Sequence, residues 1–126
     1  MEINIPAVLA EVRAAFERYE AALNVNDVAV LDGTFWSSPH TVRYGLGENL
    51  YGRDEILAFR KGRKPVDLRR KLLRTEITTF GRDFAVASTH FRRDSMPGKI
   101  GRQMQTWVRG AKGWQIVAAH VSVIEA

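Results

Sequence analysis

Residues 100–123 read IGRQMQTWVR, GAKG, WQIVAAHVSV: two runs of ten residues around a four-residue centre holding two glycines. The runs are rich in β-branched and aromatic residues, so Ile100 to Arg109 and Trp114 to Val123 are predicted as strands. Gly110-Ala111-Lys112-Gly113 is the tight turn between them. Side chains of a strand alternate between faces. Gln103, Gln105 and Trp107 therefore share one face of the first run. Strict alternation puts Trp114, Ile116, Ala118, His120 and Ser122 together on one face of the second. Two further strands precede this hairpin, Arg69 to Phe80 and Phe84 to Arg93, separated by a turn at Gly81-Arg82-Asp83 and followed by a loop at Pro97-Gly98. The four runs form an antiparallel meander.

Upstream the period changes. Leu9, Val12, Phe16, Tyr19 and Leu23 recur at steps of three and four, the stripe of a helix from about Ala7 to Asn24. Pro6 suits its first turn, and Asn24 and Asn26 mark its exit. A second helix, about Asp27 to Thr34, turns Val28, Leu31 and Phe35 inward. After the loop Ser37-Ser38-Pro39, Thr41 to Tyr44 reads as a short strand turned by Gly45 and Gly47, with Glu48 to Tyr51 as its hairpin partner. Gly52-Arg53-Asp54-Glu55 opens a third helix with Asp54 as the cap. Ile56, Leu57 and Phe59 form its apolar face, and Gly62 and Pro65 end it. Helices first and strands second give an α+β domain. Strands of this length must twist and curl, and curled over the first helix they make a cone whose open end is a polar pocket.

The 126 residues, 45% hydrophobic and 26% charged, suit one domain with one core. No apolar run is long enough to span a membrane. Met1 to Pro6 does not begin a basic segment followed by an apolar one, so a cytoplasmic protein is expected. The absence of cysteine excludes disulfides and thiolate nucleophiles. The net charge of +5 is concentrated at Arg60 to Lys64 and Arg69 to Arg74. Such runs fit either a solvated surface or an anionic small molecule. Basic residues are not interleaved with aromatics as in RNA-binding strands, so no nucleic-acid partner is expected. His40, His90 and His120 lack metal-ligand spacing, and no dinucleotide, P-loop or serine-hydrolase motif occurs. No metal or cofactor is expected.

The final hairpin, Gln105 to Arg109 and Gly113 to Ser122, resembles the signature of the nuclear transport factor 2-like (SnoaL-like, cystatin-like) superfamily. With Tyr19, Asp32-Gly33-Thr34-Phe35-Trp36 and Thr41-Val42-Arg43-Tyr44-Gly45, the chain resembles over its full length the narrower AtzH-like and HpxZ group. The resemblance implies a cone fold and a homodimer formed through the sheets. Its AtzH branch implies a cofactor-independent decarboxylating amidohydrolase that converts 1,3-dicarboxyurea to allophanate in cyanuric acid breakdown. Its HpxZ branch implies only an association with oxalurate catabolism. Tyr19 and Arg43 fall where that family's proposed active-site tyrosine and arginine lie.

Residue chemistry bears on those two positions independently. Tyr19 lies on the apolar stripe, so its hydroxyl points into the core or the pocket and needs a partner there. A core tyrosine fits the position as well as a hydrogen-bond donor to substrate does. Arg43 lies opposite Val42 in its strand. Facing the pocket, its planar fork suits a carboxylate; facing out, it is a surface arginine. Trp36, Gln105 and His120 are the candidate substrate-binding residues, each with a plain core or surface alternative. A non-catalytic ligand-binding or accessory protein of ureido-acid catabolism remains open beside the enzyme. So does a cyclase or isomerase of a larger apolar substrate, which a mostly apolar pocket and an outward Arg43 would favour.

Overall fold

The long helix and the final hairpin enclose the core between them. The structure, a computed structural model, describes residues 1–64 and 68–126. Helix α1 spans Pro6–Val25, with Pro6 in its first turn. It ends at Asn26, whose left-handed backbone (φ 52°) turns its N–H back to the carbonyls of Ala22 and Leu23. Helix α2 is Val28–Thr34, capped by Asp27, whose side chain accepts from the Val30 N–H. Strands β1 (Val42–Tyr44) and β2 (Asn49–Tyr51) form a small hairpin before helix α3 (Arg53–Gly62). Gly52, not Asp54, is the cap residue of α3, at φ 85° and without a side-chain cap bond. Asp54 instead lies in the first turn beside Arg53. Pro65, expected to help end α3, lies outside the described residues.

Strands β3 (Lys71–Phe80), β4 (Phe84–Arg92), β5 (Lys99–Gly110) and β6 (Gly113–Glu125) form the meander. The six strands make one curved, unclosed sheet in the order β2-β1-β6-β5-β4-β3. Every pairing is antiparallel except β1 with β6, which run parallel. This is the α+β architecture expected, with one parallel junction added. The core lies between the inner face of the sheet and the stripe of α1. Val12, Phe16, Tyr19 and Leu23 meet Ile77, Ala85, Ala87, Trp107 and Ile116. No helix among the described residues is long and apolar enough to cross a membrane.

Simple alternation fails in β6. Trp107 pairs with Ile116 while Thr106 pairs with Ala118, so Val117 is an extra residue on β6. Such a bulge reverses the faces of everything beyond it. Ile116 is buried, Val121 reaches the interior, and His120 is turned to the exposed outer face. There His120 meets the edge of Tyr44, its register partner on β1. The expected common face of Ile116, Ala118 and His120 is therefore corrected.

One close approach inside the sheet fixes a buried ring. A Cβ on Gly101 would stand 2.1 Å from the Phe91 ring. The ring of Phe91, fully buried on β4, therefore lies across the Gly101 backbone on its partner strand. Gly101→Ala should drive Phe91 out of place and destabilise the fold by about 1–3 kcal/mol, the usual cost of overpacking. A urea melt compared with the unsubstituted protein checks this, and an unchanged midpoint would contradict it.

Candidate functional site

Tyr19 is the fourth residue of the α1 stripe, after Leu9, Val12 and Phe16, and is buried. Its hydroxyl accepts a hydrogen bond from Arg60 Nη2 at 3.0 Å. Arg60 follows Ile56 on the inner side of α3 and is 0% exposed. Its guanidinium lies 5.7 Å from the Tyr19 ring centroid and 5.0 Å from that of Phe35. A guanidinium is weakly hydrated and stacks well on aromatic rings, which lowers the penalty of burying it. Its Nε and Nη1 find no partner among the described residues. Because Arg60 donates to Tyr19, the phenol's own proton is free to be given elsewhere.

Arg43 is brought inward by β1, with Val42 and Tyr44 less buried on either side. Arg43 Nη1 donates to Glu48 Oε1 at 3.0 Å across the β1–β2 hairpin. A Cβ on Gly45 would lie 1.8 Å from that same carboxylate oxygen, so the ion pair occupies space a larger residue would fill. Arg43 also stacks on Phe59 of α3 at 5.4 Å, and Arg63, just past the end of α3, shares that ring at 5.6 Å.

A similar group stands on the other side. Arg70 donates through Nε to Glu20 Oε2 at 3.0 Å, and through Nη2 to Glu20 Oε1 and to Gln103 Oε1, the last at 2.8 Å. Its side chain is only 2% exposed. Arg70 lies 4.4 Å over the Phe91 ring, and Arg93 shares that ring at 5.1 Å. Because Gln103 spends its carbonyl oxygen on Arg70, its amide Nε2 is left as a buried donor without a partner among the described residues.

Except for Arg60, Glu20 and Phe91, these groups line one cavity of about 210 Å³, walled also by Leu23, Phe59 and Val121. That is below the ~300 Å³ at the lower end for drug-sized ligands, so the cavity suits a small guest. Tyr19 and Arg43 both line it. The other three candidates do not. Trp36 is 41% exposed and walls an open groove with Val108, Gln115 and Val117. His120 is outside because of the bulge. Gln105 is buried behind the cavity, its carbonyl oxygen bound by Trp107 Nε1 at 3.2 Å. Gln103, two residues earlier on the same face, is the amide in the cavity.

Five residues were not singled out from the sequence: Arg60, Arg63, Arg70, Arg93 and Glu48. Arg60 and Arg63 belong to a run read as either solvated or anion-binding. Lys61 and Lys64 are exposed, whereas Arg60 is buried and Arg63 half-buried. The signal was helical phase, since Ile56, Phe59, Arg60 and Arg63 follow at steps of three, four and seven from the first. Arg43 faces inward, and Glu48, Arg63, Arg70 and Arg93 stand beside apolar side chains in the cavity wall, so the outward Arg43 that would favour a larger apolar substrate is not found.

The electrostatics follow from crowding cations. Burial pushes the Tyr19 phenol up, but the fields of Arg60, Arg43 and Arg70, with the Arg60 hydrogen bond, outweigh it and leave it below the usual range. Arg63 is brought down to about 10 by burial and by the repulsion of Arg60 and Arg43. Arg93 is lowered by burial and by Arg70. The cavity is thus a place where positive charges crowd one another.

A family model described as AtzH-like matches residues 1–126. A crystal structure of a protein of unknown function from Pectobacterium atrosepticum is 60% identical, with 98% of this chain and 95% of that one covered and a TM-score of 0.95. A protein of cystatin-like fold from Burkholderia xenovorans is 52% identical over 100% of this chain and 98% of its own, also with a TM-score of 0.95. A nuclear transport factor 2-like protein of unknown function from Pseudomonas putida, 17% identical over 92% of this chain and 86% of its own with a TM-score of 0.77, shares the fold alone. No curated protein matches.

The lowered phenol is directly measurable. Tyr51 titrates late, because its hydrogen bond with Tyr44 and that neighbour's charge raise it. Tyr19 should therefore ionise before Tyr51, below the usual ~10. In an ultraviolet titration of tyrosinate, Tyr19→Phe should remove a step below that value. A titration unchanged below it in the variant would contradict the assignment.

Proposed function

The chain belongs to the AtzH-like family, and from that premise we propose that it is a cofactor-independent decarboxylating amidohydrolase of a small N-carboxylated urea, 1,3-dicarboxyurea, yielding allophanate. The observation that carries this reading is the convergence of the Tyr19 hydroxyl and the Arg43 guanidinium on one small cavity rich in buried donors. The substrate is a dianion whose oxygens are all acceptors. The cavity offers donors from Arg43, Arg63, Arg93 and Gln103, and a phenol whose proton is unspent.

In this mechanism Arg43, held by Glu48, grips a carboxylate in two-point fashion. The bond between a urea nitrogen and its carboxylate carbon breaks. The carboxylate leaves as carbon dioxide, and the bonding electrons stay on nitrogen. Tyr19 gives its proton to that nitrogen, and water restores the proton to Tyr19. Arg60 supports this transfer by stabilising the phenolate left behind. The lowered phenol suits a proton donor working near neutrality, because the transfer is less uphill than from an ordinary tyrosine. The net change is dicarboxyurea plus one proton to allophanate plus carbon dioxide. The small, largely closed cavity keeps the fixed charges effective by limiting competing water.

Tyr19→Phe and Arg43→Ala should each lower kcat/KM for 1,3-dicarboxyurea by about 10²-fold or more. Both variants should keep a normal circular dichroism spectrum. Full turnover in either would sink the assignment. Ligand binding without turnover by the unsubstituted protein would leave a binding protein of ureido-acid metabolism. The pH profile follows from the same proton: Tyr19 must be protonated to act, so activity should fall as pH rises through its pKa, at a value below ~10. A basic limb above that value would exclude Tyr19 as the acid.

A further inference from the structure

Each side of the cavity repeats the same construction. On one side a buried arginine paired with a carboxylate, Arg43 with Glu48, stacks on Phe59. On the other, Arg70 with Glu20 stacks on Phe91. Each ring carries a second arginine, Arg63 on Phe59 and Arg93 on Phe91, and neither has a carboxylate partner among the described residues. The Nε of each of these two is buried and without an acceptor. A glycine makes room at both sides, Gly45 for the Glu48 carboxylate and Gly101 for the Phe91 ring. The two sides are separate places. Arg43 rises from β1 and the Phe91 group from β4, with β6 and β5 between them. Three strand spacings of ~4.8 Å put those bases roughly 14 Å apart along the sheet.

We propose that the cavity is a two-ended clamp for a small dicarboxylate. Arg63 beside Arg43 takes one carboxylate, and Arg93 with the Gln103 amide forms a second subsite for the other. This rests on reading the cavity as the substrate site, and it adds what selects the substrate. Arg70, which already holds Glu20 and Gln103, sets the geometry, while Arg43 gives Glu48 only Nη1 and keeps its other N–H groups for the guest beside Arg63. The two arginines that have no carboxylate partner among the described residues supply the charge that the guest answers. The Gln103 amide cannot rotate to offer its oxygen without losing Arg70, so it presents a donor to the guest. Tyr19 lies between the ends, within the fields of Arg43 and Arg70 alike. A guest with one carboxylate satisfies one end only. Release follows from the same arrangement: removal of one carboxylate as carbon dioxide empties one subsite, and the monoanionic product is held less tightly than the dianion.

Isothermal titration calorimetry with unreactive acids tests the clamp. Malonate, succinate and glutarate are compared with acetate and propionate on the unsubstituted protein. The best dicarboxylate should bind at least about tenfold more tightly than either monocarboxylate. Arg63→Gln and Arg93→Gln should each cut that ratio by about tenfold, while Arg93→Lys, which keeps the charge, should retain part of it. Melting curves without ligand show that the variants are folded. If a glutamine variant does not fold, the unsubstituted ratio and Arg93→Lys decide. Equal binding of mono- and dicarboxylates, or a ratio unchanged in both glutamine variants, would overturn the clamp. Dicarboxylate selectivity without turnover of 1,3-dicarboxyurea would overturn the reaction and leave the clamp. Turnover without selectivity would overturn the clamp and leave the reaction.

Discussion

Positive charge buried in excess is the constraint around which this molecule is organised. Arg43, Arg63, Arg70 and Arg93 line one small interior space, Arg60 joins them through the Tyr19 hydroxyl, and Glu20 and Glu48 are the carboxylates that pair with Arg70 and Arg43 among the described residues. Taking an ion out of water costs several kcal/mol unless partners replace the lost hydration. Here much of the replacement is aromatic. Each of the five guanidinium groups lies over a phenylalanine or tyrosine ring. That choice lowers the cost of burial without spending the Nε–H of Arg63 or of Arg93, which have no acceptor among the described residues. A carboxylate at each position would have stabilised the empty protein and neutralised the site.

The fold supplies this arrangement through close approaches. The curved sheet and α1 leave an interior open at one end, and α3 closes against it with Ile56, Phe59 and Arg60 on its inner side. Glu20, one residue after Tyr19, orients Arg70, and Arg70 orients Gln103. Thus α1, the entry to β3, and β5 share one chain of hydrogen bonds. Deleting Glu20 would therefore disturb an amide two links away. The glycines at 45 and 101 are part of the same construction, because side chains there would stand where the Glu48 carboxylate and the Phe91 ring now are.

Much of the architecture was legible because it depends on periodicity. The stripe from Leu9 to Leu23 and the turn at Gly110 to Gly113 each have one physical reading, and the structure adopts it. What alternation could not reveal was the bulge at Val117, since an extra residue leaves no mark in a run as apolar as Trp114 to Val123. That single residue sent His120 to the outer face. In the site, Tyr19 and Arg43 were singled out by the family resemblance, because their neighbours alone fit a core tyrosine and a surface arginine as well. Arg60, Arg63, Arg70 and Arg93 were not, because they sit among lysines and arginines that face solvent, and composition does not separate a buried cation from an exposed one. Gln105 was chosen over Gln103 because both share a face. Depth along the strand, which decides between them, is a property of the packed sheet.

Nitrogen-detected magnetic resonance of the arginine Nε–H groups tests the central claim most directly. The account predicts that addition of malonate shifts the Arg63 and Arg93 Nε–H resonances and slows their exchange with water, while those of Arg53 and Arg109, already held by Asp32 and Asp83 at the surface, stay where they are. If all four respond alike, or if Arg63 and Arg93 are unmoved by any small dicarboxylate, the buried cations are not a binding site and the account fails.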